Sequence, residues 1–132
     1  MVILYLWTLL NDLWKKKSMS LPIQWTPIAL QSLSKVFDYT FEEFGEKQLR
    51  ILSDKITTTA NRIATFPQIG KVEESLSRRL NIEYRSISVI HEINLIYTIH
   101  NDVLFIEYVK NNRQDDATIL SYLTSYISQD NG

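Results

Sequence analysis

Chemistry in this chain has to come from a short set of side chains in its second half. Arg78, Arg79, Arg85 and Arg113 are the arginines there, and His91 and His100 are the only histidines. A guanidinium grips two oxygens of a phosphate or carboxylate at once. Histidine, whose ordinary titration lies near neutrality, suits a general acid or base. Tyr97 and Tyr108 offer rings on which a nucleic-acid base can stack. Each also has a plain structural alternative. Arg113 can pair with Asp115, Asp116 or Glu107, and Arg85 with Glu83 or Glu107. Arg78 and Arg79 can be a solvated loop pair that meets a phosphate or an acidic partner segment, or nothing. Tyrosines in central strands are ordinarily core. With no cysteine, a disulfide framework and a thiolate metal site are both excluded. Two histidines are too few for a metal cluster without carboxylate help. No glycine-rich phosphate loop, nucleophile elbow or HExxH motif is present, so the reading is one of no metal and no cofactor.

The elements that must position these side chains centre on one hairpin. Ile93 to His100 and Val103 to Lys110 are rich in β-branched and aromatic residues. They meet at Asn101-Asp102, a pair that tolerates the positive φ of a tight primed turn. Both faces of the second run carry large apolar groups: Leu104, Ile106 and Tyr108 on one, Val103, Phe105 and Val109 on the other. That pattern predicts a place in the middle of a sheet. Upstream, Leu21 to Trp25 is a short extended run whose Pro22 suits an edge. Thr26-Pro27 is a helix start, Thr as N-cap and Pro at the first helical position. Leu30, Leu33, Phe37, Phe41 and Phe44 make one apolar stripe, closed by Gly45. Leu49, Leu52, Ile56, Ala60, Ile63 and Phe66 make a second, stopped by Pro67. The connection is short enough to predict an αα-hairpin. Val72 to Glu83 reads as polar connection, Tyr84 to His91 as a further strand, and Asp116 to Ile127 as a last helix with Ile119, Leu120, Leu123 and Ile127 inward. The order β-α-α-β-β-β-α is that of an α+β domain. One helical layer covers one sheet face, and the other face is expected to be the open, binding one.

At 132 residues the chain makes one domain. Residues 1–18 stand apart from the rest, apolar and then basic, through Lys15-Lys16-Lys17. The order is the reverse of a signal peptide, and no stretch reaches the length of a membrane span. The expectation is an N-terminal extension over 1–18, either lying ahead of a true start at Met19 or forming a genuine extra helix that packs on the domain or a partner, with the domain over 19–132. Without that segment, which holds three lysines and one aspartate, 11 basic and 14 acidic side chains give −3. Proteins that depend on non-specific phosphate binding are usually basic.

Several short pieces occur in a telling order: Trp25, Ala29 and Leu33 about the first helix, Phe44-Gly45 between helices, and Phe66-Pro67 with Gly70 after the second. Tyr84-Arg85, Leu95-Ile96-Tyr97 and Asn112-Arg113-Gln114-Asp115 follow. Together, from roughly Leu21 to Leu123, they resemble the RelE/ParE superfamily, the toxins of bacterial type II toxin–antitoxin modules, also known as plasmid stabilisation proteins. The resemblance implies an αα-hairpin packed on one face of a small, mainly antiparallel sheet. It implies a cytoplasmic toxin held inactive by a cognate antitoxin, whose C-terminal segment wraps the sheet or helical surface. RelE-like members cleave messenger RNA on the ribosome without a metal, the RNA 2′-hydroxyl attacking the adjacent phosphorus. In that reading Arg85, His91 and Arg113 are the catalytic residues, Arg113 on the scissile phosphate, and Arg78, Arg79, Tyr97 and Tyr108 bind RNA or a partner. ParE-like members keep the fold and inhibit DNA gyrase by binding it. The expectation leans to the nuclease, on Arg113 and His91, with gyrase inhibition as the alternative and a module that only binds its antitoxin as a third possibility. Two departures bear on the choice. Asn94 stands where RelE-like nucleases commonly carry an arginine, and the domain is acidic where those nucleases are basic.

Overall fold

The computed structural model describes residues 20–130, with side chains as far as Ser125. The expectations placed on residues 1–18, and on the start at Met19, lie outside the described residues. So does the side chain of Ile127. Among the described residues no helix is long and apolar enough to cross a membrane.

The elements are β1 (Ile23–Trp25), α1 (Pro27–Thr65), β2 (Lys71–Val72), α2 (Glu74–Leu80), β3 (Arg85–Ile90), β4 (Ile93–His100), β5 (Val103–Asn111) and α3 (Asp116–Asp130). They build one sheet of order β1-β5-β4-β3-β2. β1 runs parallel to β5, and every other neighbour is antiparallel. The β4–β5 hairpin is central, as its two apolar faces require. Asn101 and Asp102 both adopt positive φ, 51° and 60°, which is the primed turn predicted for them. Pro22 precedes an edge strand, as expected.

α1 starts as its sequence dictates. The Thr26 hydroxyl accepts from the Ala29 amide at 3.1 Å, and Pro27 takes the first helical position. It is broken once, at Gly45 (φ 86°, ψ 179°), into arms over 27–44 and 46–65. Both arms pack on the same sheet face, against Leu95, Tyr97, Leu104, Ile106 and Val109. The second arm buries Leu52, Ile56, Ala60 and Ile63, the predicted stripe, while Phe66 is exposed. The first arm departs from its prediction in part. Leu33 and Phe37 of the expected stripe pack against the core, but Ala29, Ser32 and Val36 are the buried residues, and Leu30, Phe41 and Phe44 face outward. The cause is close approach to β5. Small Ala29 and Ser32 let the helix settle until the Val109 amide reaches the Ser32 hydroxyl at 2.9 Å. A stripe of large side chains would hold it off.

The second face is not left open. Val72 to Glu83, expected to be connection, forms β2 and α2. Leu76 of α2 joins Ile119 and Leu123 of α3 over Tyr84, Ile96 and Tyr108 in a second core. The alternation along β5 also departs from a strict period of two. Ile96 pairs with Tyr108 but Tyr97 with Ile106, so Glu107 is an extra, bulged residue. Past the bulge the faces exchange. Leu104, Ile106 and Val109 share the α1 face, and Tyr108 turns to the other.

Candidate functional site

A cleft of about 840 Å³ opens between the two arms of α1 and the sheet end formed by the β3–β4 turn and the exit from β5. Val36, Ile51, Leu52 and Phe44 supply apolar wall. Lys35 and Lys55, one on each arm, supply charge, Arg113 adds to it from the sheet end, and His91 stands beside Arg113 in the lining. Glu92 is the one carboxylate in the lining. A chain of net charge −1 thus gathers cations around an apolar floor.

The exit Asn111 to Asp115 builds the sheet side of this cleft, and nearly every residue in it has a structural task. Asn112 takes the Glu92 carbonyl with its amide and the His91 carbonyl with Nδ2, both at 2.9 Å, while its Oδ1 accepts from Asn94. These bonds fasten the β3–β4 turn to the end of β5 and fix where His91 stands. Asn111 Oδ1 accepts from the Arg113 amide, and Gln114 joins the Asn111 amide to the Tyr108 hydroxyl. Asp115 caps α3 through the Thr118 amide and hydroxyl, and those bonds, the amide first, hold its carboxyl below the usual range. Asp116 pairs with Lys110 at 3.8 Å. What is left over is the Arg113 guanidinium. Among the described residues it has no hydrogen-bond or ion-pair partner, and it lines the cleft. The pairings offered by Asp115, Asp116 and Glu107 are not made.

The sequence-predicted residues therefore fall in different places. His91 and Arg113 share the cleft. Arg85 does not. It sits on the α1 face of β3, with Nε on Glu83 at 2.9 Å and Nη1 on the carbonyls of Gly70 (2.8 Å) and Gln68 (3.3 Å). It clamps the turn into β2, and its neighbours are Tyr97 and Ile99 at the opposite end of the sheet. Arg78 and Arg79 occupy the last turn of α2, exposed, beside the second core. Tyr97 and Tyr108 are buried on opposite faces. The Tyr97 hydroxyl donates to Pro67 O (2.7 Å) and accepts from Gly70 N (3.0 Å). Burial pushes both phenols up, against Gly70's amide in one case and Gln114's in the other. Both are almost fully buried, and Tyr108 also contributes to the lining of the cleft. His100 lies exposed beside the hairpin turn, away from the cleft. Among the described residues no three metal-ligating side chains converge.

Lys35, Lys55, Phe44 and Ile51 are site residues that periodicity assigned to core or to solvent. The signal that marks them is local: Lys35/Tyr39 and Ile51/Lys55 are cation–apolar pairs at helical spacing of four, one pair on each arm.

Comparison with known proteins agrees with this frame. The family model described as "ParE toxin of type II toxin-antitoxin system, parDE" matches residues 23–116. A search of curated proteins finds no match. Among solved structures, the chromosomal ParDE toxin–antitoxin system from P. aeruginosa superposes with a TM-score of 0.57 at 12% identity, over 70% of this chain and 97% of that one. That likeness is one of fold. The family match spans every strand of the sheet and both arms of α1, and the chain belongs to the ParE toxin family of type II toxin–antitoxin systems.

Proposed function

We propose that this toxin acts by binding a protein target, DNA gyrase, rather than by cutting RNA, and that a cognate antitoxin holds it inactive in the cytoplasm by filling the cationic cleft. The observation that carries this is the dispersal of the would-be catalytic set. Arg85 is tied into the Gln68–Gly70 turn at one end of the sheet, while His91 and Arg113 stand at the other. Metal-independent cleavage needs a base, an acid and a phosphate clamp around one phosphorus. Asn94, where a nuclease of this superfamily carries an arginine, is committed to Asn112. The cleft's apolar floor and cationic rim suit an amphipathic acidic segment of a partner protein.

One observation favours a second reading, ribosome-dependent messenger cleavage. His91 and the Arg113 guanidinium, which has no partner among the described residues, line one cleft, which is two of the three groups such a reaction uses. Induction of the full chain in cells, with DNA synthesis, protein synthesis and messenger integrity followed together, separates the two. The proposal expects DNA synthesis to stop while messages stay intact. Messages cut within ribosomes, with replication continuing, overturn it in favour of the nuclease. Absence of any growth arrest overturns the toxin reading and leaves a module that only binds its antitoxin.

A further inference from the structure

β2 is the outer strand of the sheet on the β3 side, and among the described residues nothing pairs with its free edge. The direction of its main-chain groups follows from one bond. The Glu73 amide donates to Tyr84 O at 2.8 Å, so that amide points at β3, while the Glu73 carbonyl accepts from the Ser77 amide as α2 begins. Main-chain groups alternate along a strand, and those of Val72 therefore point outward. Apolar side chains frame this edge. Phe66 (59% exposed) and Ile69 stand in the turn leading into it, Val72 lies on it, and Ile82 stands in the loop between α2 and β3, all exposed. Single exposed apolar residues are ordinary, but four about an unpaired edge are what sheet proteins generally avoid.

We propose that this edge pairs with the same edge of a second copy, antiparallel about a twofold axis through Val72. One register satisfies every group. With Val72 opposite Val72 of the other copy, each donates its outward amide to the other's carbonyl, the closely spaced pair of an antiparallel ladder. In the same register Lys71 of each copy lies opposite Glu73 of the other. Lys71 is 78% exposed and reaches its own Glu73 only at 3.9 Å, so it is free to serve a neighbour. Opposite charges directly across an antiparallel pair are stabilising, and the twofold makes the pair twice. The patch is thus self-complementary in hydrogen bonds, charge and apolar surface. Its strand contributes only two main-chain bonds, so the dimer is weak and reversible. It lies at the end of the sheet away from the cleft and leaves the cleft accessible.

Sedimentation of the full purified chain, through a concentration series reaching the high micromolar range, tests this. The expected result is a reversible monomer–dimer equilibrium. Lys71→Glu sets carboxylates against Glu73 twice and should raise the dissociation constant by about tenfold or more, with the melting temperature unchanged. Glu73→Lys should do the same. A mixture of the two variants restores both pairs and should form a heterodimer that neither forms alone. Glu73 also accepts from the Ser86 hydroxyl, so Val72→Asp, which puts two carboxylates on the axis, gives an independent route to the monomer. A chain that is monomeric throughout, a dimer indifferent to Lys71→Glu and Val72→Asp, or two folded charge variants that do not associate when mixed overturns the proposal.

Discussion

The Ser32 hydroxyl receives the main-chain amide of Val109, 77 residues further along the chain, at 2.9 Å, and itself donates to Ala29 O at 2.8 Å. This one hydroxyl closes two accounts. Just past the bulge at Glu107, the Val109 amide meets a helix side chain, and α1 is fixed at its closest approach to the sheet. Ser32→Ala keeps the small volume and strands a buried amide. The expected loss is about 1–3 kcal/mol, read as a lower midpoint of denaturant unfolding with an unchanged slope. A loss as small as that of an exposed serine would mean that water replaces the bond.

Tyr97 joins the turn after α1 to the centre of the sheet. Its hydroxyl serves both Pro67 O and Gly70 N, and Gly70 lets it do so. A Cβ on residue 70 would stand 2.5 Å from the Tyr97 oxygen and 2.8 Å from Ser86 O. Tyr97→Phe should cost about 1–3 kcal/mol. Gly70→Ala should cost at least as much, because it displaces backbone as well as the phenol. In the double variant the two losses should fall well short of their sum, since both break one contact. Additive losses in that cycle would show that Gly70 is required for another reason.

These contacts show what the sequence displayed and what it hid. The hairpin, its Asn101-Asp102 turn, the Thr26-Pro27 start and the break at Gly45 are local, each written within a few residues. Part of the first arm's face was hidden because Leu30, Phe41 and Phe44 outweigh Ala29 and Ser32 in any hydrophobic count, whereas packing distance favours the small residues. The change of face at Tyr108 was hidden because a bulge leaves no mark in composition. α2 was hidden because seven residues supply too short a periodicity, with Leu76 its one fully buried side chain. At the site, the exit Asn112-Arg113-Gln114-Asp115 could be recognised from sequence, but only its bonding separates the three residues that build the loop from the one that faces outward.

That separation gives a prediction for Arg113. Arg113→Ala removes no side-chain bond among the described residues, so stability should move by less than about 0.5 kcal/mol. Affinity for the cognate antitoxin should fall by about tenfold or more, with a weaker dependence on salt than the parent complex has. Asn112→Ala should weaken binding too, but with a measurable loss of stability, since it frees the β3–β4 turn. Calorimetric titration and thermal melts on the same samples distinguish the two. Unchanged affinity in Arg113→Ala would remove this residue from the interface.

Glu107 supplies a dependence on pH. It is the bulged residue of β5, and burial lifts its carboxyl above the usual range, opposed by a 2.8 Å bond from the Thr98 hydroxyl. A raised folded pKa means that the group's contribution to stability is fully present below the unfolded value and is lost as pH rises through the folded one. Ionisation of this carboxyl therefore works against the fold. Glu107→Gln keeps an acceptor for Thr98 and removes the charge. It should melt higher than the parent at about pH 7, and the difference should shrink as pH falls toward the ordinary carboxylate range. The same charge helps push the Tyr84 phenol, already raised by burial, to about 12. Spectrophotometric titration of the variant should find that phenol ionising at lower pH than in the parent.

Gly45 sets the angle between the two arms, and with it the width of the cleft. Nothing lies within 4 Å of a Cβ built there, so any cost of a side chain is backbone strain alone. At φ 86° and ψ 179° the residue lies in a region open essentially only to glycine. This is not the left-handed helical region, which asparagine also tolerates. Gly45→Ala and Gly45→Asn should therefore cost about the same, on the order of 1–3 kcal/mol, where a helix-capping glycine would let asparagine recover part of the loss. Relief of the strain would reorient one arm against the other, so both variants should also weaken antitoxin binding beyond what their stability explains. If asparagine is clearly better tolerated than alanine, the break is an ordinary helix cap, and the cleft does not depend on the extended ψ of Gly45.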